Sequence, residues 1–412
     1  MAIVRPFKAV RPAPELAAQV AALPYDVMNS AEAREMVEGN PYSFLHVDKA
    51  EIDLPLGTDL YAPEVYAKAK ANLEAMSAQG VMQTDEKPML YLYRLTMNGR
   101  AQTGLVACTS IDEYLDNKIK KHELTLEAKE QDRIRHVEAC NANTGPIYLA
   151  YRAQTDIDGI VADWCANHAP VYDFAADGGI GHTVWTVDCD STIEKLQAAF
   201  VAVPALYIAD GHHRNASAVK VGLKKRAENP GYTGGEEFNF YLSVIFPSDQ
   251  LFIMDYNRVV KDLNGMSDIE LLAKLGETFD IESSADGKPQ ARHSFGMYLN
   301  GAWRMLRLKG GIANEADPVA ALDVSILQAH VLTPLLGIDD PRTSKRIDFV
   351  GGLRGLRELE RRVDSGEMAV AFAMFATSMD ELLTIADAGA IMPPKSTWFE
   401  PKLRSGLFVH EL

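Results

Sequence analysis

Residues 89–111 decide the fold of this chain and read MLYLYRLTMNGRAQTGLVACTSI. Residues 89–97 and 101–111 are rich in aromatic and β-branched side chains, which favour strands. Asn98 and Gly99 lie between them, and this pair tolerates the positive φ angles of a tight turn. The stretch therefore predicts an antiparallel hairpin.

A second Asn-Gly pair, Asn300 and Gly301, separates the strand-like residues 294–299 from residues 303–308. Hairpins are thus predicted in both halves of the chain. Helical segments lie between them without a regular strand-helix-strand alternation. We therefore predict an α+β protein with mixed, largely antiparallel sheets and flanking helices.

Several helices are predicted from their end signals. Pro63 occupies a favourable first-turn position, apolar residues follow at helical spacing, and Gly80 supplies the stop. Residues 12–23 are expected to form a short helix that ends before a proline-containing turn. Ser191 and Glu194 have the spacing of a capping box at the start of a further helix.

The length of 412 residues, with 47% hydrophobic and 24% charged residues, is sufficient for a large core and favours two domains. We place the boundary near residue 260, between a domain of residues 1–260 and a C-terminal α+β domain of residues 261–412. The residues give the position of this boundary only to within tens of residues.

The charge balance and the cysteines restrict the classes of function. Lys and Arg number 41 against 57 Asp and Glu, giving a net charge of -16, which disfavours nucleic-acid or anionic-membrane surfaces. The four cysteines are far apart, which argues against a zinc site and a disulfide framework. No apolar run predicts a secretory signal or a membrane span. We expect a cytoplasmic protein with a small-molecule partner and leave the oligomeric state open.

The first candidate site follows the apolar residues 205–209, which predict a buried strand. Gly211 would let a ligand approach the backbone, and a following helix N-terminus would offer free N–H groups to an anion. Asp210 is a candidate catalytic residue and ligand of a divalent cation; the following two histidines are also candidate catalytic residues, and they and the arginine after them could bind phosphate oxygens. These candidates are His212, His213 and Arg214. In the alternative, Asp210 caps the helix and the histidines are surface residues.

A second candidate site begins at His122 and Glu123, which we consider as substrate-binding residues. On a helix beginning near Thr125, Lys129 and Arg133 would share a face and could bind phosphate together. The alternative is a solvated helix face with paired charges.

Further candidates lie near the two ends of the chain. Lys395, Ser396 and Thr397 follow two prolines in a stiff segment and could bind phosphate, or the segment could serve only for packing. Near the N-terminus, Asp26 lies in a turn, and its carboxylate could serve as a base or a magnesium ligand.

Four segments resemble known families. Residues 208–214, IADGHHR, resemble the D-G-H/N-H-R motif of the ParB/sulfiredoxin-like superfamily, in particular its free-serine kinases. Residues 22–27 (ALPYDV), 40–47 (NPYSFLHV) and 392–403 (MPPKSTWFEPKL) resemble a bacterial family of about this length that is labelled as a domain of unknown function. This second resemblance covers nearly the whole chain.

The resemblance implies a ParB/sulfiredoxin-like core with large additions in residues 1–260, and a C-terminal domain that returns a phosphate-binding strap to the site. It also implies phosphoryl transfer from a nucleotide or pyrophosphate to the hydroxyl of a small molecule, with free L-serine the first to test. Asp210 corresponds to the aspartate at the reacting centre, and Glu15 is the nearest counterpart of the catalytic glutamate in those kinases.

Several assignments stay open at this point. The base could be Glu15, Asp26 or Glu123. Mg²⁺ is the expected metal, and ATP, ADP and pyrophosphate are all candidate donors, because they present the same kind of phosphate chain. The alternative function is a ParB-like nucleotide-binding regulator, or a phosphohydrolase, without DNA binding.

Overall fold

The computed structural model describes residues 2–412. The chain divides into two compact units, the first made of residues 2–251 together with Pro401–Leu412, and the second of Phe252–Glu400. Both units combine helices with mixed or antiparallel sheets. The predicted α+β class is therefore confirmed.

The first unit is built on an eight-stranded mixed sheet. Across this sheet the strands are, in order, Ile119–Lys120, Leu206–Asp210, Ile147–Tyr151, Phe240–Pro247, Arg100–Ser110, Leu90–Met97, Ile180–Val187 and Tyr172–Ala176. Neighbouring strands are antiparallel except for the first with the second and the third with the fourth, which are parallel. Two small sheets pair Val10–Pro12 with Met82–Thr84 and Ala142–Asn143 with His410–Glu411.

Helices cover this sheet and form the walls of the site described below. The α-helices of the first unit are Ala17–Val20, Ser30–Met36, Leu45–Asp48, Pro63–Ala78, Ile111–Leu115, Glu127–Cys140, Thr155–Asn167, Asp190–Val201 and His212–Glu228. Short 3-10 helices are Pro14–Leu16, Tyr25–Val27, Ala50–Asp53, Asp177–Gly179, Glu237–Asn239 and Ser248–Gln250. Within residues 2–412, no helix has both the length and the apolar composition that crossing a membrane requires.

The second unit contains a six-stranded antiparallel sheet. Its strands are, in order, Phe279–Ser283, Ala302–Leu308, Ser294–Leu299, Val370–Met374, Tyr256–Val260 and Ile347–Gly351. A small sheet pairs Ile253–Met254 with Trp398–Phe399. The helices of this unit are Asp268–Thr278, Asp323–Leu327 with a π-helical continuation Gln328–Leu332, the 3-10 helix Gly352–Arg354, Leu356–Asp364 and Met379–Asp387.

Both predicted hairpins are present. Leu90–Met97 pairs with Arg100–Ser110, and Ser294–Leu299 pairs with Ala302–Leu308. Each turn uses its Asn-Gly pair at positive φ, with 53° and 78° in the first hairpin and 49° and 73° in the second. These values explain why Asn-Gly is a strong local signal, since other side chains are strained in this conformation.

Two local predictions are wrong. Residues 12–23 do not form one helix, because Val10–Pro12 is a strand and only Ala17–Val20 is α-helical. The helix Asp190–Val201 begins one residue before Ser191 and has Cys189 as its N-cap without a side-chain capping bond. The capping box predicted from Ser191 is therefore absent, because its spacing is displaced from the true helix start.

Candidate functional site

The strand Leu206–Asp210 ends at the turn that the sequence singles out. Its pairing register with the neighbouring strand Ile147–Tyr151 shifts between Ile208 and Asp210. This irregularity of the β-bulge type changes the direction of the Asp210 side chain. Gly211 follows with a φ of 90°, and a Cβ there would lie 3.3 Å from Nε of Arg214. The position thus requires glycine both for its backbone and for the close approach of the guanidinium.

Asp210 is held by two hydrogen bonds at the end of this strand. The backbone N–H of Gly211 donates to Oδ1 at 2.8 Å, and Nζ of Lys402 donates to Oδ2 at 3.0 Å. Burial alone would raise the pKa of Asp210, but the charges of Lys402 and Arg214 outweigh it and hold the pKa below its usual range. The carboxylate is therefore ionised at neutral pH.

His213, in the first turn of the helix His212–Glu228, lines a cavity of about 400 Å³. Other walls come from Tyr25–Val27, Leu45–Asp48 and Glu127–Cys140. The residues of these walls that offer charges or hydroxyls are Tyr25, Asp26, Asp48, Lys129, Asp132 and Arg133. The cavity is thus lined by both cations and carboxylates.

Arg133 is fixed in this cavity by its neighbours. Its guanidinium lies 4.0 Å from the ring centroid of Tyr25, and its Nη2 is 2.8 Å from Oδ2 of Asp132. Burial would lower the pKa of Arg133, but Tyr25 and Asp132 outweigh it and raise the pKa. For the Tyr25 hydroxyl, burial raises the pKa to about 12. The phenol is therefore neutral at pH 7 and can donate a hydrogen bond.

Arg214 lines a second, smaller cavity of about 30 Å³, together with Arg133 and Gly145. Its Nη1 donates to the carbonyl oxygen of Pro146 at 2.8 Å, whereas its Nε is buried and has no hydrogen-bond partner. Burial would lower the pKa of Arg214, but Asp26 and Asp210 outweigh it and raise the pKa. The small cavity therefore contains a fixed positive charge with an unused donor.

Asp48 and His136 line both cavities. Asp48 is buried and accepts a hydrogen bond from Oγ1 of Thr144 at 2.8 Å. His136 donates from Nε2 to the carbonyl oxygen of Val47 at 3.0 Å, and burial together with Arg133 lowers its pKa. At neutral pH, His136 therefore presents a neutral imidazole to both cavities.

His213 is also neutral at pH 7, because burial and the nearby Lys129 lower its pKa. The backbone N–H of Leu126 donates to its Nε2 at 3.0 Å. Since Nε2 accepts this bond, the proton of the neutral ring lies on Nδ1. Lys129 lies one turn before Arg133 on the helix Glu127–Cys140, and both residues line the larger cavity. Their four-residue spacing predicted this shared helix face.

His212 belongs to a different group, which it forms with His122 and Glu123. The two imidazole rings meet edge to face with centroids 4.5 Å apart, and Oε2 of Glu123 is 3.7 Å from Nδ1 of His212. Burial lowers the pKa of His122 to about 4, and burial together with His122 lowers the pKa of His212 well below its ordinary value. None of these three residues lines either of the cavities described above.

The remaining predicted residues lie elsewhere. Glu15 is exposed in the 3-10 helix Pro14–Leu16 and does not line either cavity. Lys395, Ser396 and Thr397 belong to the second unit. There Lys395 has its Nζ 5.6 Å from the ring centroid of Tyr256, and Oγ of Ser396 donates to the carbonyl oxygen of Pro393 at 2.6 Å. Their role in phosphate binding stays a prediction.

The sequence predicted neither a role for Asp48 nor the ion pair between Asp210 and Lys402. Asp48 directly follows the segment NPYSFLHV, which the family resemblance marked, so its neighbourhood carried a signal. Lys402 lies 192 positions from the carboxylate that it pairs with, and no local pattern could have connected the two.

The fold and the cavity define an α+β protein with a cavity lined by arginine, lysine and carboxylate side chains. The chain belongs to the family described as "Protein of unknown function (DUF1015)", which matches residues 4–325. No curated protein matches the chain.

Solved structures show weaker likenesses. A free serine kinase in complex with AMP is 15% identical over 73% of this chain and 92% of its own, with a TM-score of 0.35. A conserved hypothetical protein from Pyrococcus furiosus is 14% identical over 74% of this chain and 94% of its own, with a TM-score of 0.35. SbnI from Staphylococcus aureus, with a C-terminal truncation, is 12% identical over 73% of this chain and 85% of its own, with a TM-score of 0.38.

Proposed function

We propose that the protein is a phosphotransferase that moves a phosphoryl group from a nucleotide or pyrophosphate to the hydroxyl of a small molecule, with free L-serine as the first acceptor to test. One observation carries the proposal. Two buried or half-buried guanidinium groups, of Arg133 and Arg214, line a pair of cavities that also contain carboxylates. Phosphoryl transfer depends mainly on positioning and on neutralising charge, so fixed cations beside acids suit it.

The donor phosphates are assigned to the arginines. The guanidinium of Arg133 is already fixed by Asp132 and Tyr25. Little side-chain entropy is therefore lost when a phosphate binds there. Arg214 contributes an Nε that has no partner within the protein. Lys129 is exposed and adds a mobile charge at the edge of the larger cavity.

The acceptor hydroxyl is assigned to the part of the larger cavity near Asp26. Of the three carboxylates considered as base from the sequence, Asp26 lines this cavity, whereas Glu15 and Glu123 do not. A base must come within hydrogen-bond distance of the proton that it removes, so position favours Asp26. A volume of about 400 Å³ accommodates a small acceptor beside a phosphate chain.

Mg²⁺ is assigned to Asp210 and to the phosphates of the donor, although Asp210 lines neither cavity and acts on the smaller one through the charge of Arg214. Oδ1 of Asp210 accepts a hydrogen bond from Gly211 and Oδ2 accepts one from Lys402, and an ionised carboxylate has about four acceptor positions in all. The carboxylate therefore retains capacity for a cation. Mg²⁺ prefers such oxygen ligands and usually binds through one or two carboxylates plus phosphate oxygens.

The test is to incubate the full chain with Mg²⁺, L-serine and each of ATP, ADP and pyrophosphate, and to follow phosphoserine by ³¹P NMR. We expect phosphoserine with one of the donors and none when Mg²⁺ is removed with EDTA. Asp26→Asn should lower kcat while leaving donor binding intact, since it removes the base and not a phosphate ligand. The matched control is Asp188→Asn, which changes an exposed carboxylate outside both cavities.

Other outcomes would assign the site differently. Hydrolysis of a donor without phosphoserine, across a panel of small hydroxyl compounds, would identify a phosphohydrolase. Saturable nucleotide binding without any turnover would identify a regulatory nucleotide-binding protein. Absence of both binding and turnover with all three donors would contradict the proposal.

A further inference from the structure

We propose that His122, Glu123 and His212 form a binding site for a divalent transition-metal ion such as Zn²⁺. The three residues line neither of the two cavities, and the proposal does not rest on phosphotransferase activity. Three observations support it: the topology that brings the residues together, the distances between their ligand atoms, and two buried ring nitrogens without partners.

The topology of the sheet places both histidines at one edge. His122 follows the strand Ile119–Lys120, and His212 follows the strand Leu206–Asp210. These strands are parallel neighbours, so their carboxyl ends meet at the same edge of the sheet. The sheet therefore brings the two histidines together, whereas Glu123 lies exposed in the loop before the helix Glu127–Cys140.

The distances are close to those of a metal site. One ligand atom from each of the three residues lies within 4.8 Å of the other two. In a tetrahedral site with metal–ligand bonds of about 2.1 Å, ligand atoms are about 3.4 Å apart. Glu123 can supply the remaining movement, because half of its side chain is exposed and Oε2 already lies 3.7 Å from Nδ1 of His212.

The buried nitrogens need an explanation that packing does not give. Nδ1 of His122 and Nε2 of His212 are inaccessible to solvent and have no hydrogen-bond partner. The two residues are only 2% and 5% exposed. Buried polar atoms are nearly always paired, and unpaired ones in a native fold often mark an ion or a functional group. A metal ion bound at Nδ1 of His122 would account for that unpaired atom, whereas the 3.7 Å distance to Glu123 belongs to Nδ1 of His212 and not to its unpaired Nε2.

The kind of ligand decides the kind of metal. Two imidazoles and one carboxylate favour zinc and other late divalent ions, whereas Mg²⁺ prefers oxygen ligands alone. Three protein ligands leave at least one coordination position for water or an exogenous ligand. The Asp210 carboxylate acts on both rings and adds negative charge beside the site.

The experiment uses the untagged full chain, stripped of metal with EDTA, dialysed and titrated with Zn²⁺ by calorimetry and with Co²⁺ by visible absorption. We expect one equivalent per chain with a Kd of about 1 µM or tighter, and Co²⁺ bands of a four- or five-coordinate site. Mg²⁺ in excess should not displace the Co²⁺ spectrum.

Glu123→Gln is the decisive variant, because half of the Glu123 side chain is exposed and the substitution keeps its size. It should weaken Zn²⁺ binding at least tenfold with an unchanged circular dichroism spectrum, and His122→Gln should abolish the Co²⁺ bands. The control is His168→Gln, which removes an exposed histidine stacked on Trp164 and should retain one equivalent. Absence of stoichiometric binding by the wild type, or equal binding by wild type, Glu123→Gln and His122→Gln, would overturn the proposal.

Discussion

Consecutive residues of the motif at 210–214 lie in two different sites of this protein. His213 and Arg214 line the two cavities, whereas His212 turns toward His122 and Glu123. Successive residues of an α-helix point about 100° apart, so neighbours in the sequence face different surroundings. A compact run such as DGHHR is therefore a poor guide to which of its side chains act on the same ligand.

The two places also differ in their electrostatics. The cavities contain arginines whose positive charge is strengthened by nearby acids, which suits an anion. The group around His212 contains two buried imidazoles that are neutral at pH 7, which suits a metal ion better than a phosphate. Asp210 belongs to neither group, but its charge acts on Arg214 and on both buried imidazoles.

The largest effect is expected for Asp210→Asn. The substitution keeps the shape but removes the negative charge that faces Lys402 and Arg214. We expect kcat to fall by about a hundredfold or more, the loss typical when one preorganised electrostatic group is removed from a site. Steady-state kinetics with saturating donor measures this loss.

Folding must be checked beside that measurement. Urea unfolding should show a single cooperative transition in Asp210→Asn as in the wild type. A folded Asp210→Asn protein with full activity would show that the reacting centre lies elsewhere. It would also remove the reason for assigning Mg²⁺ to this carboxylate.

The next largest effect is expected for Arg133→Ala. Hydrogen bonds to a charged group contribute about 1.5–3 kcal/mol, so losing the guanidinium should raise the donor Kd about 10- to 100-fold. Arg133→Lys should recover only part of this affinity, because an ammonium cannot form the paired hydrogen bonds of a guanidinium. Calorimetric titration with donor and Mg²⁺ measures both variants.

Arg342→Ala is the matched control, because it also removes an arginine side chain. Arg342 is exposed and pairs with Asp340 two positions away, so its removal should leave the donor Kd unchanged. Zn²⁺ binding should also be unchanged in Arg133→Ala, since the guanidinium faces the cavities and not His122. Equal donor affinity in Arg133→Ala and wild type would show that the buried guanidinium has a structural role and does not bind the donor.

A smaller effect, on stability, is expected for Lys402→Met. The ion pair is partly buried, with 13% of the Lys402 side chain and 32% of the Asp210 side chain exposed. Its loss should lower the free energy of unfolding at pH 7 by about 2 kcal/mol, between the values for exposed and for buried pairs. Urea unfolding at several pH values measures the change.

The pH dependence gives this prediction its sign. The pKa of Asp210 is lowered in the folded state, so its stabilising contribution is complete above the unfolded pKa of about 3.9 and is lost as the pH falls below that value. The difference between wild type and Lys402→Met should therefore be largest above pH 5 and shrink toward pH 3. Lys224→Met, which breaks the exposed pair with Glu138, should show a difference below about 0.5 kcal/mol at every pH.

Much of the fold could be predicted because its signals are local. The Asn-Gly pairs at residues 98–99 and 300–301 set two hairpins, and the apolar strand before Asp210 with glycine after it set the strand-turn-helix. The failed predictions are also local. Residues 12–23 have apolar and alanine-rich content that suits a helix, but Val10–Pro12 pairs with the distant strand Met82–Thr84 instead.

The site was predictable only where several of its residues lie close in sequence. Lys129, Arg133, His213 and Arg214 came from two short segments, each with its own pattern. Asp48, His136 and Lys402 join them through packing between helices and through the return of Pro401–Leu412 to the first unit. Neither spacing nor composition encodes such contacts, so they required the structure.

The smallest effect is expected for Lys395→Ala, which tests whether the predicted phosphate-binding strap acts on the donor at all. Lys395 is an exposed ammonium of the second unit, and its predicted role in phosphate binding requires Lys395→Ala to raise the donor KM about threefold, because exposed ion pairs contribute about 0.2–1 kcal/mol. Raising the salt concentration should abolish the difference, because exposed charges are screened. Lys274→Ala, an exposed lysine on the helix Asp268–Thr278 of the same unit, is the control and should leave KM unchanged. If both variants match the wild type at low salt, the strap has no part in donor binding, and phosphate recognition belongs to the arginines of the first unit.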